Sequence, residues 1–113
     1  MSNHQKAVET MCYGVYIVTC KSGNKANGLT VGLATQISID PVIIGVSVNK
    51  KWFSHKLLKE SEHFIFHVLA DDQVELALHF GTTHGLNCDK FIDVPWDEGV
   101  SGIPIIRGCK TVL

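Results

Sequence analysis

The sequence of 113 residues has no apolar run close to the ~20 residues that a membrane-spanning helix needs, and its start lacks the pattern of a signal peptide. It contains neither GxGxxG nor GxxxxGK[ST], and no GxSxG, which argues against a Rossmann unit, a P-loop and a serine-hydrolase triad. None of its four cysteines forms a CxxC pair, which excludes zinc-ribbon and thioredoxin-like sites. A formal net charge of -1 gives no overall attraction to nucleic acid. We expect one cytoplasmic domain over residues 1–113, with free thiols.

Residue types that favour β-strands dominate the apolar segments of the sequence. Hydrophobic residues make up 45% of the chain and charged residues 19%, which is typical of a globular domain. Apolar runs rich in β-branched and aromatic residues predict strands at 13–20, 29–38, 42–48, 64–69 and 103–106. The short links between the first three favour an antiparallel meander that closes into a barrel or a sandwich. The predicted fold class is therefore mainly β.

Two helices are predicted between these strands. The first begins with Ser54 as its N-cap and ends near Glu60. The second begins at 72–75, where Asp-x-x-Glu resembles a capping box, and ends with Gly81 at the C′ position. A short helix is expected at 89–91. The chain therefore predicts a β-barrel with inserted helices.

Positive charge is concentrated around the first predicted helix. Between Val42 and Lys59 there are four lysines and no acid, whereas residues 60–98 hold nine acids and one base. A helix start has a positive dipole and normally attracts acidic residues. The cationic and polar side chains at this start, together with free backbone N–H groups, form a candidate phosphate site: Lys50, Lys51, Ser54 and His55. A solvated lysine-rich face is the alternative interpretation.

Histidine and cysteine positions give weaker indications. Cys12 and Cys20 lie in apolar sequence and are expected to be core residues. His63 and His67 fall on one face of a strand and are expected at the surface or at an interface. Because no carboxylate or cysteine joins these two histidines in a recognisable metal-ligand motif, we expect no metal site. His84, in the polar loop after the second helix, is a candidate ligand contact.

An ordered set of short motifs resembles one known family. Residues 30–41, TVGLATQISIDP, are similar to the signature strand of this family. Residues 46–50, VSVNK, are similar to the family's next strand, which carries an Asn-Lys pair on the phosphate side. Ser54-His55 is similar to the Thr-His helix start of this family. Phe-Gly at 80–81, followed by Asp-Lys-Phe at 89–91, is similar to another of the family's elements. The family is the flavin reductase-like family of FMN-binding split barrels. The start of the chain is most similar to flavoredoxins and to flavin domains fused to rubredoxin.

The resemblance implies a non-covalently bound FMN, which NAD(P)H reduces and which passes electrons to free flavin, rubredoxin or oxygen. It implies no single catalytic residue, because the cofactor performs the redox step. The implied cofactor contacts are Leu33, Ala34, Thr35, Gln36 and Ile37 along the ring and ribityl chain, Asn49, Lys50, Ser54 and His55 at the phosphate, and also Lys90 and Phe91.

The resemblance also implies a homodimer with the flavin near the subunit interface. Family members continue past the equivalent of residues 107–109 into further strands, so we expect a split barrel without its last strands. Two other functions stay open. One is a flavin-binding electron carrier without NAD(P)H turnover, and the other is a structural split-barrel subunit.

Overall fold

Strands outnumber helices in the computed structural model of the protein, which describes residues 2–82, 90–91 and 94–113. The strands are β1 (Tyr16–Ser22), β2 (Lys25–Val31), β3 (Ala34–Ser38), β4 (Ile43–Val46), β5 (Phe64–Val68), β6 (Trp96–Glu98), β7 (Pro104–Ile106) and β8 (Thr111–Val112). The helices are α1 (Asn3–Val8), α2 (Phe53–Glu60), α3 (Val74–Thr82) and a 3₁₀ turn at Val100–Gly102. Within these described ranges no helix has the length and apolar character needed to cross a membrane.

A four-stranded antiparallel sheet forms the centre of the fold. Its order is β2-β1-β5-β8, and β1 pairs along its length with both β2 and β5. The chain then adds two antiparallel hairpins, β3–β4 and β6–β7. The mainly β prediction is confirmed, although the described strands form three separate sheets and not one closed barrel.

Apolar residues cover both faces of β1, which explains why this strand lies inside the sheet. Ile17 and Val18 are fully buried neighbours that point to opposite faces. Ile17 belongs to a cluster with residues of α3 and β7, including Phe80 and Ile106. Val18 belongs to a second cluster, which the β3–β4 hairpin and α2 cover. The hairpin and α2 therefore lie on the same side of the sheet.

Two buried side chains attach β7 to the central sheet. The Thr19 hydroxyl donates to Pro104 O at 2.7 Å, and Ile106 N–H donates to His67 Nε2 at 3.1 Å. His67 Nδ1 then donates to Ile17 O at 3.0 Å, so both ring nitrogens are used by a neutral imidazole. Burial lowers the pKa of His67, and its hydrogen bonds to backbone oppose that effect. The predicted surface or interface position of His67 is wrong because β7 covers this face of β5, whereas His63 is exposed.

Two other predictions near β1 are corrected. The extended run over 29–38 is not one strand: it breaks after β2 at Gly32 and Leu33, because the chain leaves the central sheet and β3 pairs with β4. Cys12 is exposed and not a core residue, since β1 begins four residues after it. Cys20 is buried as predicted, and burial raises the pKa of its thiol to about 11.

The second predicted helix is shifted toward the C-terminus. It begins at Val74, because Gln73 O accepts from Ala77 N–H and the Gln73 side chain accepts from Ala70 N–H. Gly81 lies inside this helix and not at a C′ position. Of the predicted helix at 89–91, Lys90 and Phe91 form a turn, and Asp89 lies outside the described residues, as does His84.

We expect Gly81→Ala to raise the free energy of unfolding by about 0.5 kcal/mol, because glycine within a helix loses more backbone entropy than alanine. The nearest atom to an added Cβ is Thr30 Cβ at 3.4 Å, an ordinary contact. Urea unfolding of the variant and the wild type measures the difference. Gly28→Ala is the opposite control, since its Cβ would lie 2.7 Å from the Phe80 ring and should destabilise the fold. A destabilised Gly81→Ala variant would instead favour a C′ role.

Candidate functional site

A groove runs between α2 and the β3–β4 hairpin. We call it the α2 groove; its cavity has a volume of about 520 Å³. It is lined by Val18, Ile44, Val46, Val48, Lys50, His55, Leu58, Lys59 and Phe64. Aliphatic and aromatic side chains thus provide most of its lining, and two lysines and a histidine provide its polar groups. An apolar cavity of this size with few polar groups is the usual form of a small-molecule site.

The start of α2 places His55 and Lys50 at this groove. Trp52 occupies the N-cap position and makes no side-chain cap hydrogen bond. In the turn before the helix, Asn49 Oδ1 accepts from Lys51 N–H at 2.9 Å. His55 N–H donates to Trp52 O at 3.1 Å, but the N–H groups before it have no partner within the helix, so this start has donors available for an anion.

Ser54 is the second residue of α2 and not its N-cap, so the predicted cap is wrong. The reason is that its side chain turns into the protein, where Ser54 Oγ accepts from Asn27 Nδ2 at 2.7 Å. Both residues are buried. The structure therefore separates Ser54, which lies behind the helix start, from His55, which lines the groove.

The charge around the α2 groove is positive. None of the nine residues that line it is acidic, and its ionisable groups are Lys50, His55 and Lys59. The acidic side chain of α2, Glu60, accepts from the Ser22 hydroxyl at 2.9 Å. An anion at this groove would meet cationic donors and an uncapped helix start, which is the donor set that suits a phosphate group. The side chains present therefore fit the phosphate of FMN.

A second groove, which we call the hairpin groove, lies between the β3–β4 hairpin and the segment before β1. Its volume is about 680 Å³. It is lined by Met11, Cys12, Tyr13, Gly14, Tyr16, Gly32, Leu33, Ala34, Thr35, Ile37, Gly45, Val46 and Ser47. Four of the five residues predicted to contact the flavin ring and ribityl chain are in this set. The fifth, Gln36, donates from Nε2 to Ser38 O within the hairpin.

The two grooves meet at Val46, which lines both of them. The structure therefore brings the predicted phosphate residues Lys50 and His55 to one groove and the predicted ring residues to the adjacent one. Asn49 is exposed next to Lys50. Contact of any of these side chains with a flavin stays a prediction.

Lys90 and Phe91 lie in the core. Lys90 Nζ donates to Gly28 O at 2.7 Å and to Phe80 O at 3.3 Å. The Phe91 ring packs on the Phe80 ring with centroids 5.2 Å apart. These contacts place both residues in the packing between α3 and β2, and contact of either residue with a cofactor stays a prediction.

Asn27 and Lys59 were missed from the sequence, and both adjoin the predicted site. Asn27 carried no usable signal, since it lies between two predicted strands and its complete burial in β2 is visible only in the structure. Lys59 carried no sequence signal beyond its place among the four lysines between Val42 and Lys59. Among the described residues, no group of three or more His, Cys, Asp or Glu is placed to hold a metal ion.

The central antiparallel sheet, the attached hairpins and the apolar groove with a cationic rim define a small-molecule-binding domain of the split-barrel class. The sequence model of the flavin reductase like domain matches residues 8–113. The chain belongs to this family, and the resemblance stated from its motifs is confirmed.

Relatives and solved structures agree with this assignment. High molecular weight rubredoxin of Moorella thermoacetica is 36% identical over 103 residues, which are 89% of this chain and 44% of that protein. The NADH:FAD oxidoreductase of Streptomyces globisporus has a TM-score of 0.87 at 29% identity, over 97% of this chain and 65% of that one. An FMN-binding protein from Thermus thermophilus has a TM-score of 0.83 at 26% identity, over 91% of this chain and 58% of that one. The chain thus spans less than two thirds of each of these proteins.

Proposed function

We propose that this chain is a flavin-binding oxidoreductase domain that uses NAD(P)H, FMN and an electron acceptor. The observation that carries the proposal is the α2 groove, where an apolar lining ends at Lys50, His55 and an uncapped helix start in a member of this family. The names of the Streptomyces and Thermus proteins, which mention NADH, FAD and FMN, support the same chemistry.

FMN, when bound, would supply the redox chemistry, which is acceptance of hydride from a reduced nicotinamide and delivery of electrons to free flavin, rubredoxin or oxygen. The protein binds and orients the cofactor. Lys50 and His55 would hold the phosphate at the start of α2, and Leu33 and Thr35 in the hairpin groove would hold the ring and ribityl chain. The predicted set also includes Ala34, Gln36, Ile37, Asn49, Ser54, Lys90 and Phe91. Because the flavin carries the reaction, no protein acid or base is required.

A homodimer through the β3–β4 hairpin is part of this proposal. The hairpin and its turn expose several large apolar side chains, namely Leu33, Ile37, Ile39, Val42 and Ile43. Contiguous exposed apolar surface of this kind marks an interaction site. Dimerisation would cover these residues and enclose the adjacent hairpin groove. We place the domain in the cytoplasm, in keeping with the free thiols of Cys12, Cys20 and Cys109.

The visible absorbance of the purified chain titrated with FMN tests the proposal. We expect bound flavin that NADH or NADPH bleaches without oxygen, with recovery of the absorbance when an acceptor is added. Bound flavin that is bleached only by dithionite would favour the electron carrier. If the chain takes up neither FMN nor FAD, the proposal is wrong and a structural subunit is the better interpretation.

A further inference from the structure

The Tyr16 side chain lies at the start of β1, on the face of the central sheet that adjoins both grooves. Tyr16 lines the hairpin groove, and Val18, two residues further along the same strand, lines the α2 groove. Residues two apart in a strand point to the same face and lie about 7 Å from each other. Tyr16 therefore stands where the predicted ring site adjoins the predicted phosphate site.

Packing fixes the Tyr16 ring at this position. The ring lies against the buried ring of Phe66, with centroids 4.7 Å apart and planes inclined by 34°. The hydroxyl end of the ring lies over Gly14, where an added Cβ would come within 2.6 Å of Tyr16 Cε2 and would overlap the hydroxyl oxygen. Any side chain at residue 14 would therefore displace the phenol. Because Gly14 itself lines the hairpin groove, the Tyr16 hydroxyl lies at the wall of that groove.

The Tyr16 hydroxyl has no hydrogen-bond partner within the described ranges 2–82, 90–91 and 94–113. The other tyrosine of the groove differs in this respect, since the Tyr13 hydroxyl donates to Val8 O at 3.1 Å. Phenylalanine at residue 16 would give the same packing on Phe66, so the hydroxyl adds nothing to the described fold. A partly buried tyrosine normally directs its hydroxyl to a polar partner, and here the open side is the groove.

We infer that the Tyr16 hydroxyl, placed by Gly14, donates a hydrogen bond to an acceptor atom at the polar edge of the flavin ring. The inference rests on the proposed function, since it requires a flavin with its ring in the hairpin groove. The polar edge of an oxidised flavin presents two carbonyl oxygens and two acceptor nitrogens, and the aliphatic side chains of the groove cannot donate to them. Tyr16 thus recognises the ring, which FMN and riboflavin share, and not the phosphate.

Tyr16→Phe tests this role, because it removes the hydroxyl and keeps the aromatic ring. We expect it to weaken FMN and riboflavin binding alike, by about threefold to tenfold for a neutral hydrogen bond, as measured by fluorescence quenching. The visible absorption band of the bound flavin should also shift, since that band responds to hydrogen bonds at the ring. The midpoint of urea unfolding should not change. Unchanged affinities, an unchanged band or a loss confined to FMN would each overturn the inference.

Two further variants separate this hydroxyl from the general polarity of the groove. Tyr13→Phe should lose less flavin affinity than Tyr16→Phe, because the Tyr13 hydroxyl is already bonded to Val8 O. An equal loss in Tyr13→Phe would overturn the inference. Gly14→Ala should displace the phenol and weaken both flavins at least as much as Tyr16→Phe, and adding Tyr16→Phe to it should cause no further loss. Additive losses would likewise overturn the inference.

Failure of the inference is distinguishable from failure of the proposed function. If the wild type binds neither flavin, the proposed function is wrong and the inference is wrong with it. If the wild type binds FMN and Tyr16→Phe keeps both its affinity and its absorption band, only the inference fails. Lys50→Ala should lose affinity for FMN alone, which separates the phosphate contact from the ring contact. Where riboflavin binds too weakly to titrate, the band of bound FMN decides the result.

Discussion

Replacing His67 by leucine should lower the free energy of unfolding by about 3 kcal/mol, because two buried backbone groups lose their partners at about 1–3 kcal/mol each. Ile106 N–H would lose its acceptor, and Ile17 O would lose a donor. The leucine would fill most of the space but satisfy neither group. Urea unfolding of the variant and the wild type measures the loss.

His67→Gln is the matched variant, because the glutamine side-chain oxygen can still accept from Ile106 N–H. Its loss in free energy of unfolding should therefore be smaller than that of His67→Leu. His63→Gln, at an exposed position four residues earlier, should stay within about 0.5 kcal/mol of the wild type. If His67→Leu is as stable as His63→Gln, the role of His67 in attaching β7 is wrong.

The same contact makes the fold sensitive to acid. The pKa of His67 is lowered in the folded protein, so the unfolded chain binds the proton more tightly. The stability that neutral His67 provides is therefore complete above an unfolded-state pKa of about 6.5, and is lost as the pH falls from there through the lower folded-state value. The difference in free energy of unfolding between the wild type and His67→Leu should therefore narrow as the pH falls over this interval, which urea unfolding at several pH values measures.

The strands were predictable because their residue types carry the signal locally. The apolar run over 13–20 contains most of β1, and the run over 64–69 contains all of β5. The burial of His67 was not predictable in this way. Alternation along β5 assigns it a face of the strand, but only the long-range placement of β7 decides whether that face is covered. A pattern within one strand contains no information about a segment 39 residues away.

The residues of the candidate site likewise divide into those that the local sequence predicts and those whose position depends on long-range contacts. Lys50 and His55 were predictable, because an acid-free helix start is a local feature of sequence, and the structure places both at one groove. Ser54 was predicted as an N-cap because serine before an amphipathic helix usually has that role. Its partner Asn27 lies 27 residues earlier on another element, so the competing hydrogen bond is visible only in the folded chain.

The double replacement of Lys50 and His55 by alanine should weaken FMN binding about 100-fold, because each side chain contributes a charged or polar donor worth roughly tenfold to a dianionic phosphate. Both residues line the α2 groove beside its apolar floor. Binding of riboflavin should change by less than about threefold, since it lacks the phosphate that these donors recognise. Equilibrium titration at low ionic strength measures both affinities.

Lys56→Ala is the control for this pair. Lys56 lies on α2 and is exposed, but it is not among the residues that line the α2 groove. Its loss removes the same unit of charge as the loss of Lys50, from the helix that follows, so it reports the general attraction of a lysine-rich surface, which salt screens. We expect it to change FMN affinity by less than about twofold. If Lys56→Ala weakens FMN binding as much as Lys50→Ala does, the lysines act only as a solvated basic face and the α2 groove is not the phosphate site.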